Sequence, residues 1–122
     1  HTPSHVIDIV PTILEMAGIP KPSNWKNQKV PSAPGKSLVP VFASDITIQR
    51  DHLWWFHDGH RAVRKGDFKL VSAKKEPWEL YDLKTDRAES KNLVNQKPKL
   101  KEKLENLWND QVEEFKRMLE TK

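Results

Sequence analysis

The sequence predicts an α+β fold: a small antiparallel sheet of about four strands, packed by a long C-terminal amphipathic helix and preceded by a helix and a Pro-rich loop. Two periodicities and one deficit carry this expectation. From His52 onward, short runs rich in aromatic and β-branched residues alternate with period two, whereas from Pro98 to near Glu120 the apolar residues recur at three and four. The deficit is of core: hydrophobic residues make up 36% of the 122 residues, against the roughly 45–50% apolar usage of a self-sufficient domain. One domain is therefore the ceiling, and the chain reads as part of something larger.

Ser4 to Ala17 predicts a helix, with Ile7, Val10 and Leu14 on an apolar stripe that Ile13 and Ala17 extend. Pro11 is tolerated best in a first turn, so the well-formed part starts near Asp8 to Pro11. Gly18 suits the left-handed position past a helix end, and Pro20 blocks continuation. Residues 20–36 hold four prolines among Ser, Asn, Lys and Gly, the composition of an extended, linker-like surface connection. In the run KSLVPVF, Lys36 to Phe42, Pro40 leaves room for one helical turn at most, around Ser37 and Leu38.

The strands follow as HLWWFH, RAVRK, FKLVSA and WELYDL, separated by Asp58-Gly59, Gly66-Asp67 and the stretch Lys74 to Pro77. The first two breaks are short enough for hairpin turns. Alternation places Leu53, Trp55 and His57 on one face and His52, Trp54 and Phe56 on the other. Both faces of the sheet are partly apolar, which predicts that both are covered. Asp86 can cap a short turn that ends at Leu93, and the last helix carries Leu100, Leu104, Leu107, Trp108, Val112, Phe115 and Leu119 on one face. The partner expected for that face is one side of the sheet. Its polar side mixes Glu102, Glu105, Asp110, Glu113 and Glu114 with lysines, which argues against a helix lying on a membrane.

Composition excludes several functions. The chain has no cysteine, and so no disulfide framework, thiolate zinc site or cysteine nucleophile. No segment approaches the roughly 18 consecutive apolar residues of a membrane span. The net charge of +4 arises from 21 basic and 17 acidic residues that are interleaved, whereas nucleic-acid binding requires clustered cations; no nucleic-acid partner is expected. The first residue is His1, and no basic-then-apolar leader follows it, so a fragment lacking its own N-terminal portion and any export signal is the expectation.

Few residues suggest chemistry. His52, His57 and His60 lie close in sequence with Asp58 among them, and on a hairpin His57 and His60 flank the turn with Arg61 beside them. A metal site, an idle polar tip and a contact to an anionic or hydroxylated substrate are all open readings, the metal being the weakest for want of a full ligand set. Trp54 and Trp55 point to opposite faces, so they form no common platform for a sugar ring. No P-loop, nucleophile elbow or dinucleotide glycine pattern occurs.

Three stretches together resemble the C-terminal end of a sulfatase of the arylsulfatase type, in the alkaline-phosphatase-like superfamily: SHVIDIVPTILEMAGIP at Ser4 to Pro20, PGKSLVPVF at Pro34 to Phe42, and LWWFHDGHRAVRKGDFKLVSAKKEPWELYDLKTDRAESKNL at Leu53 to Leu93. The resemblance implies that residues 1–49 are the tail of a larger catalytic α/β domain with its Pro-rich connection, and that residues 50–122 are the sulfatase C-terminal subdomain. It also implies that the chain packs against a catalytic domain N-terminal to it.

Members of the family hydrolyse sulfate esters with a formylglycine made in a C/S-x-P-x-R motif and with a calcium ion held by Asp and Asn. The nearest match, Ser32-Ala33-Pro34-Gly35-Lys36, ends in Lys and lies downstream of where the family places its nucleophile, so it is a coincidence. The resemblance thus implies a parent that is a sulfuric ester hydrolase, periplasmic or secreted, acting with Ca2+ on a sulfated small molecule or glycan, and a fragment that is inactive alone. It further implies substrate contacts for His57, His60 and Arg61; family patterns such as EHEGNR stand here as FHDGHR, a departure at His60. The alternative is a non-enzymatic carbohydrate- or protein-binding module.

Overall fold

The computed structural model describes residues 2–30 and 34–120, in two compact units, His1–Arg50 and Asp51–Lys122. In the first, a 3-10 turn at Val6–Asp8 leads into helix α1, Ile9–Met16. The start lies upstream of the expected one because His5 forms a capping box: its ring accepts from the Ile7 N–H, and the Asp8 carboxylate accepts from the His5 N–H at 2.8 Å. Pro11 falls in the first turn of α1, and Gly18 ends it with φ +65°.

The residues that α1 buries within the unit are polar. Asp8 and Thr12 are inside, whereas Val6, Ile9, Val10, Ile13 and Met16 are exposed. Asp8 accepts hydrogen bonds from the N–H groups of His5 and Lys36 and from the Arg50 guanidinium at 2.6 Å. The Thr12 hydroxyl donates to the Asp8 carbonyl and accepts the Leu38 N–H. These bonds fasten the segment after the loop onto the helix, and Gly35 is required there because a Cβ would stand 2.0 Å from the Ile7 carbonyl oxygen. Of the expected stripe Ile7 and Leu14 are half-buried, whereas Val10 and Ile13, with Val6, Ile9 and Met16, form an apolar surface left outward.

Two expectations for this region change. The Pro-rich connection is not extended throughout: it holds a short antiparallel hairpin of β1, Asn24–Trp25, and β2, Gln28–Lys29. Helix α2 occupies Val39–Ala43 and runs through Pro40, which sits in its first turn, where its missing N–H is no loss. The turn expected at Ser37 and Leu38 is therefore displaced downstream. Ser32 and Ala33 of the motif-like stretch lie outside the described residues.

The second unit is the predicted sheet. Strands β3, Leu53–His57, β4, His60–Lys65, β5, Phe68–Ser72, and β6, Glu79–Asp82, pair antiparallel in the order β3-β4-β5-β6. The register sets Trp54 opposite Val63 opposite Leu70 opposite Leu80, so these four share one face. Helix α3, Pro98–Glu120, covers that face with Leu104 and Trp108. Val63, Leu70 and Leu80 have no exposed surface, and Leu104 is 1% exposed; each such side chain stabilises the fold by about 1.5–3 kcal/mol. The Trp108 indole N–H donates to the Trp55 carbonyl, and the Trp78 indole to Glu105, so the buried aromatic cluster leaves neither indole N–H unpaired. On the other face Leu53, Ala62 and Tyr81 are buried. Phe115 lies against Trp54 of β3, with 5.2 Å between ring centroids, and keeps 45% of its surface exposed, while Met118 and Leu119 are exposed beyond it.

Candidate functional site

The β3–β4 hairpin turns on Asp58 and Gly59, at φ 47° and 85°. Two consecutive positive φ values match the right-handed twist of the strands, and Asp-Gly is among the dipeptides that accept them most easily. The turn is held from outside: Lys74 donates from Nζ to the Asp58 carboxylate at 2.9 Å, and its aliphatic stem lies 3.0 Å from where a Cβ on Gly59 would stand. Immediately below the turn His57 and His60 are register partners, and both are exposed. Two imidazoles on one face of a rigid tip can donate to and accept from hydroxyl or sulfate oxygens. Trp55, two residues along the same strand, shares that face.

Arg61 is not with them. The period of two sends it to the helix-covered face, where its guanidinium carbon lies 4.3 Å from the centre of the Trp78 ring and 5.7 Å from that of Trp108. Its Nη2 donates to the Ser72 hydroxyl at 2.9 Å, and Ser72 is buried. The expectation of one cationic tip built from His57, His60 and Arg61 side by side is replaced by an imidazole pair on one face and a stacked guanidinium on the other. His52 is also remote. It precedes β3 while His57 ends it, a separation of about 16 Å along an extended strand. The Nδ1 of His52 lies 2.8 Å from Asp51, which also accepts from Lys65 at 2.7 Å. Lys65 first, and His52 second, hold the Asp51 carboxyl below the usual carboxylate range.

The calcium implied by the family resemblance is not matched by these residues. Among the described residues no three His, Cys, Asp or Glu side chains gather as a metal site, and the carboxylates with the most contacts are already committed. Asp8 is tied to Arg50 and two N–H groups, and Asp86 accepts from the N–H groups of Lys91 and Ser90. The pairing of Lys74 with Asp58 and of Asp8 with Arg50 escaped the sequence reading, since each joins residues separated by 16 and 42 positions with no local pattern between them.

Known proteins align with the chain over most of its length. The profile of the family described as N-sulphoglucosamine sulphohydrolase, C-terminal, matches residues 4–117. A relative from Schizosaccharomyces pombe, an uncharacterized sulfatase, is 36% identical over 110 residues, covering 84% of this chain and 20% of its own length. A sulfatase from Formosa agariphila is 29% identical, covering 77% of this chain and 19% of its own. A protein solved in complex with its substrate, D-glucosamine-2-N,6-O-disulfate, superimposes with a TM-score of 0.60 at 25% identity, over 90% of this chain and 24% of the other. The chain therefore spans about a fifth of the length of the curated relatives it matches. With the four-stranded sheet, its covering helix and the profile match in agreement, the chain belongs to the N-sulphoglucosamine sulphohydrolase C-terminal family and is a C-terminal sulfatase region.

Proposed function

We propose that the protein carrying this chain hydrolyses sulfate esters, as an arylsulfatase-type member of the alkaline-phosphatase-like superfamily, and that this chain shapes the substrate pocket without supplying the nucleophile. The family match over residues 4–117 carries this reading. In it, residues 1–49 complete the catalytic α/β domain and residues 50–122 form the C-terminal subdomain, a division that the two compact units support. The formylglycine and the Ca2+ ligands belong to the sequence upstream, and the enzyme is periplasmic or secreted. The chain alone is inactive.

Within that enzyme the substrate is a sulfated sugar or small molecule. His57 and His60 contact its oxygens beyond the scissile sulfate, from a tip that β3, β4 and Lys74 hold rigid. Arg61 keeps the hairpin seated by stacking on Trp78 and acts as a positioning residue. The occurrence of D-glucosamine-2-N,6-O-disulfate as the substrate of the solved relative favours an amino-sugar sulfate. Sulfate release from that disulfate and from an aryl sulfate by the full-length protein, with calcium present, tests the reading. His57→Ala is expected to lower kcat/KM for the preferred substrate about tenfold, the loss of one good polar contact. Unchanged kinetics in both His57→Ala and His60→Ala would exclude the hairpin tip. An enzyme whose formylglycine is demonstrably formed and which releases no sulfate from either compound would favour a binding module instead.

A further inference from the structure

Trp25 stands at the end of β1 with 68% of its surface exposed, paired across the hairpin with Gln28. Its surroundings differ from those of the exposed apolar side chains of α1. On α1 these form a continuous aliphatic stripe, which is packing chemistry. Around Trp25 every neighbour in the hairpin is an amide, an amine or a hydroxyl: Ser23, Asn24, Lys26, Asn27, Gln28 and Lys29, all of them exposed. Among the described residues the side chains of Lys26, Asn27, Gln28 and Lys29 make no hydrogen bond or ion pair, so their donors are available.

The turn itself is costly. Lys26 and Asn27 both have positive φ, 47° and 64°, where Asn-Gly would sit with less strain. Lys26, held in the left-handed region, directly follows Trp25 in the chain, and local strain of this kind points to use of the side chain. The hairpin is closed at its base by the Val30 N–H donating to the Ser23 carbonyl at 2.9 Å.

From the exposed Trp25 ring, its register partner Gln28 and the lysine that follows it in the chain, we infer that the β1–β2 hairpin is a second, non-catalytic contact for an extended sulfated glycan, with a pyranose ring stacked on Trp25 and a sulfate bound by Lys26. A flat ring with polarised C–H bonds complements an indole face, Gln28 can bond a ring hydroxyl, and an ammonium forms charge-assisted hydrogen bonds to a sulfate. The inference rests on the proposed action on sulfated sugars and adds to it a preference for chains over single sugars.

The test uses the full-length protein, a heparin dodecasaccharide, the same chain chemically desulfated, and a monosaccharide sulfate. Trp25→Ala and Lys26→Gly are each expected to weaken binding of the heparin dodecasaccharide about tenfold, with turnover of the monosaccharide sulfate unchanged. For the desulfated chain, Trp25→Ala alone should weaken binding. Lys26→Gly is the decisive variant, because glycine relieves the positive φ: a merely structural lysine would bring no loss of affinity and a higher melting temperature. Unchanged dodecasaccharide affinity in Lys26→Gly overturns the inference, as does a Trp25→Ala protein that melts lower yet binds as before, which would mean that the ring packs against upstream sequence. Sulfate release with no effect of either variant sinks this inference alone; Trp25-dependent binding with no sulfate release sinks the hydrolase reading alone.

Discussion

Asp8 shows how much one carboxylate can organise. It is fully buried, and its pair with Arg50 at 2.6 Å joins positions 42 residues apart. Asp8→Ala would leave the guanidinium, 8% exposed, without its countercharge, and breaking a buried pair on one side costs about 3–5 kcal/mol; urea denaturation of the variant should show a loss of that size. Burial pushes the Asp8 carboxyl upward, but the N–H groups of Lys36 and His5 together with Arg50 outweigh it and hold it below the usual range. A depressed carboxyl stabilises the fold fully above its unfolded value of about 3.9 and loses that contribution as pH falls through its folded value. The acid branch of stability measured by urea titration should therefore be shallower in Asp8→Ala. Arg61 and His57 form a second contrast: Arg61→Ala removes stacking on Trp78 worth about 0.5–2 kcal/mol, whereas exposed His57→Ala should stay within about 0.5 kcal/mol in the same assay. Periodicity already set His57 and His52 on opposite strand faces, but what Arg61 touches depends on Trp78 and Trp108, and no local pattern in the chain brings these three together.

The elements most legible in the sequence are those whose own period announces a buried face. Helix α3 and the strands β3 to β6 fall where spacing put them, because a three-four stripe and a two-residue alternation each have one packing solution when they meet. The helix also divides by depth. Leu104→Ala should cost about 2–5 kcal/mol, since Leu104 meets Val63, Leu70 and Leu80, while Leu119→Ala, at 72% exposure, should cost less than about 0.5 kcal/mol. Denaturant midpoints of the two variants read this difference directly, and similar midpoints would contradict the packing described. The less legible elements are short. The β1–β2 hairpin has neither β-branched strands nor a glycine turn, so it reads as a loop, and α2 contains a proline that looks like a break until its position in the first turn is known.

For the molecule as a whole, the outward stripe of α1 has the largest consequence. Val6, Ile9, Val10, Ile13 and Met16 expose an aliphatic surface that water disfavours, for which we propose the catalytic domain as partner. Expressed alone, the chain should be marginally soluble and self-associating, and Ile9→Lys with Ile13→Lys should raise its monomer fraction in light scattering; a monomeric wild type with a cooperative high-temperature melt would refute this. The low apolar content is in keeping with that proposal, and the three ordered motifs resemble the sulfatase family that the profile match shows. What the sequence determined by itself was local and periodic: the first helix, the four strands of the sheet and their faces, the stop at Gly18 and the helix that covers the sheet. Tertiary structure alone decided which face of α1 turns inward, that Asp8 is locked by Arg50, that Arg61 stacks on Trp78, and that Trp25 stands on a hairpin. These are pairings across many residues, fixed by how whole elements meet, and a single chain carries no periodic trace of them.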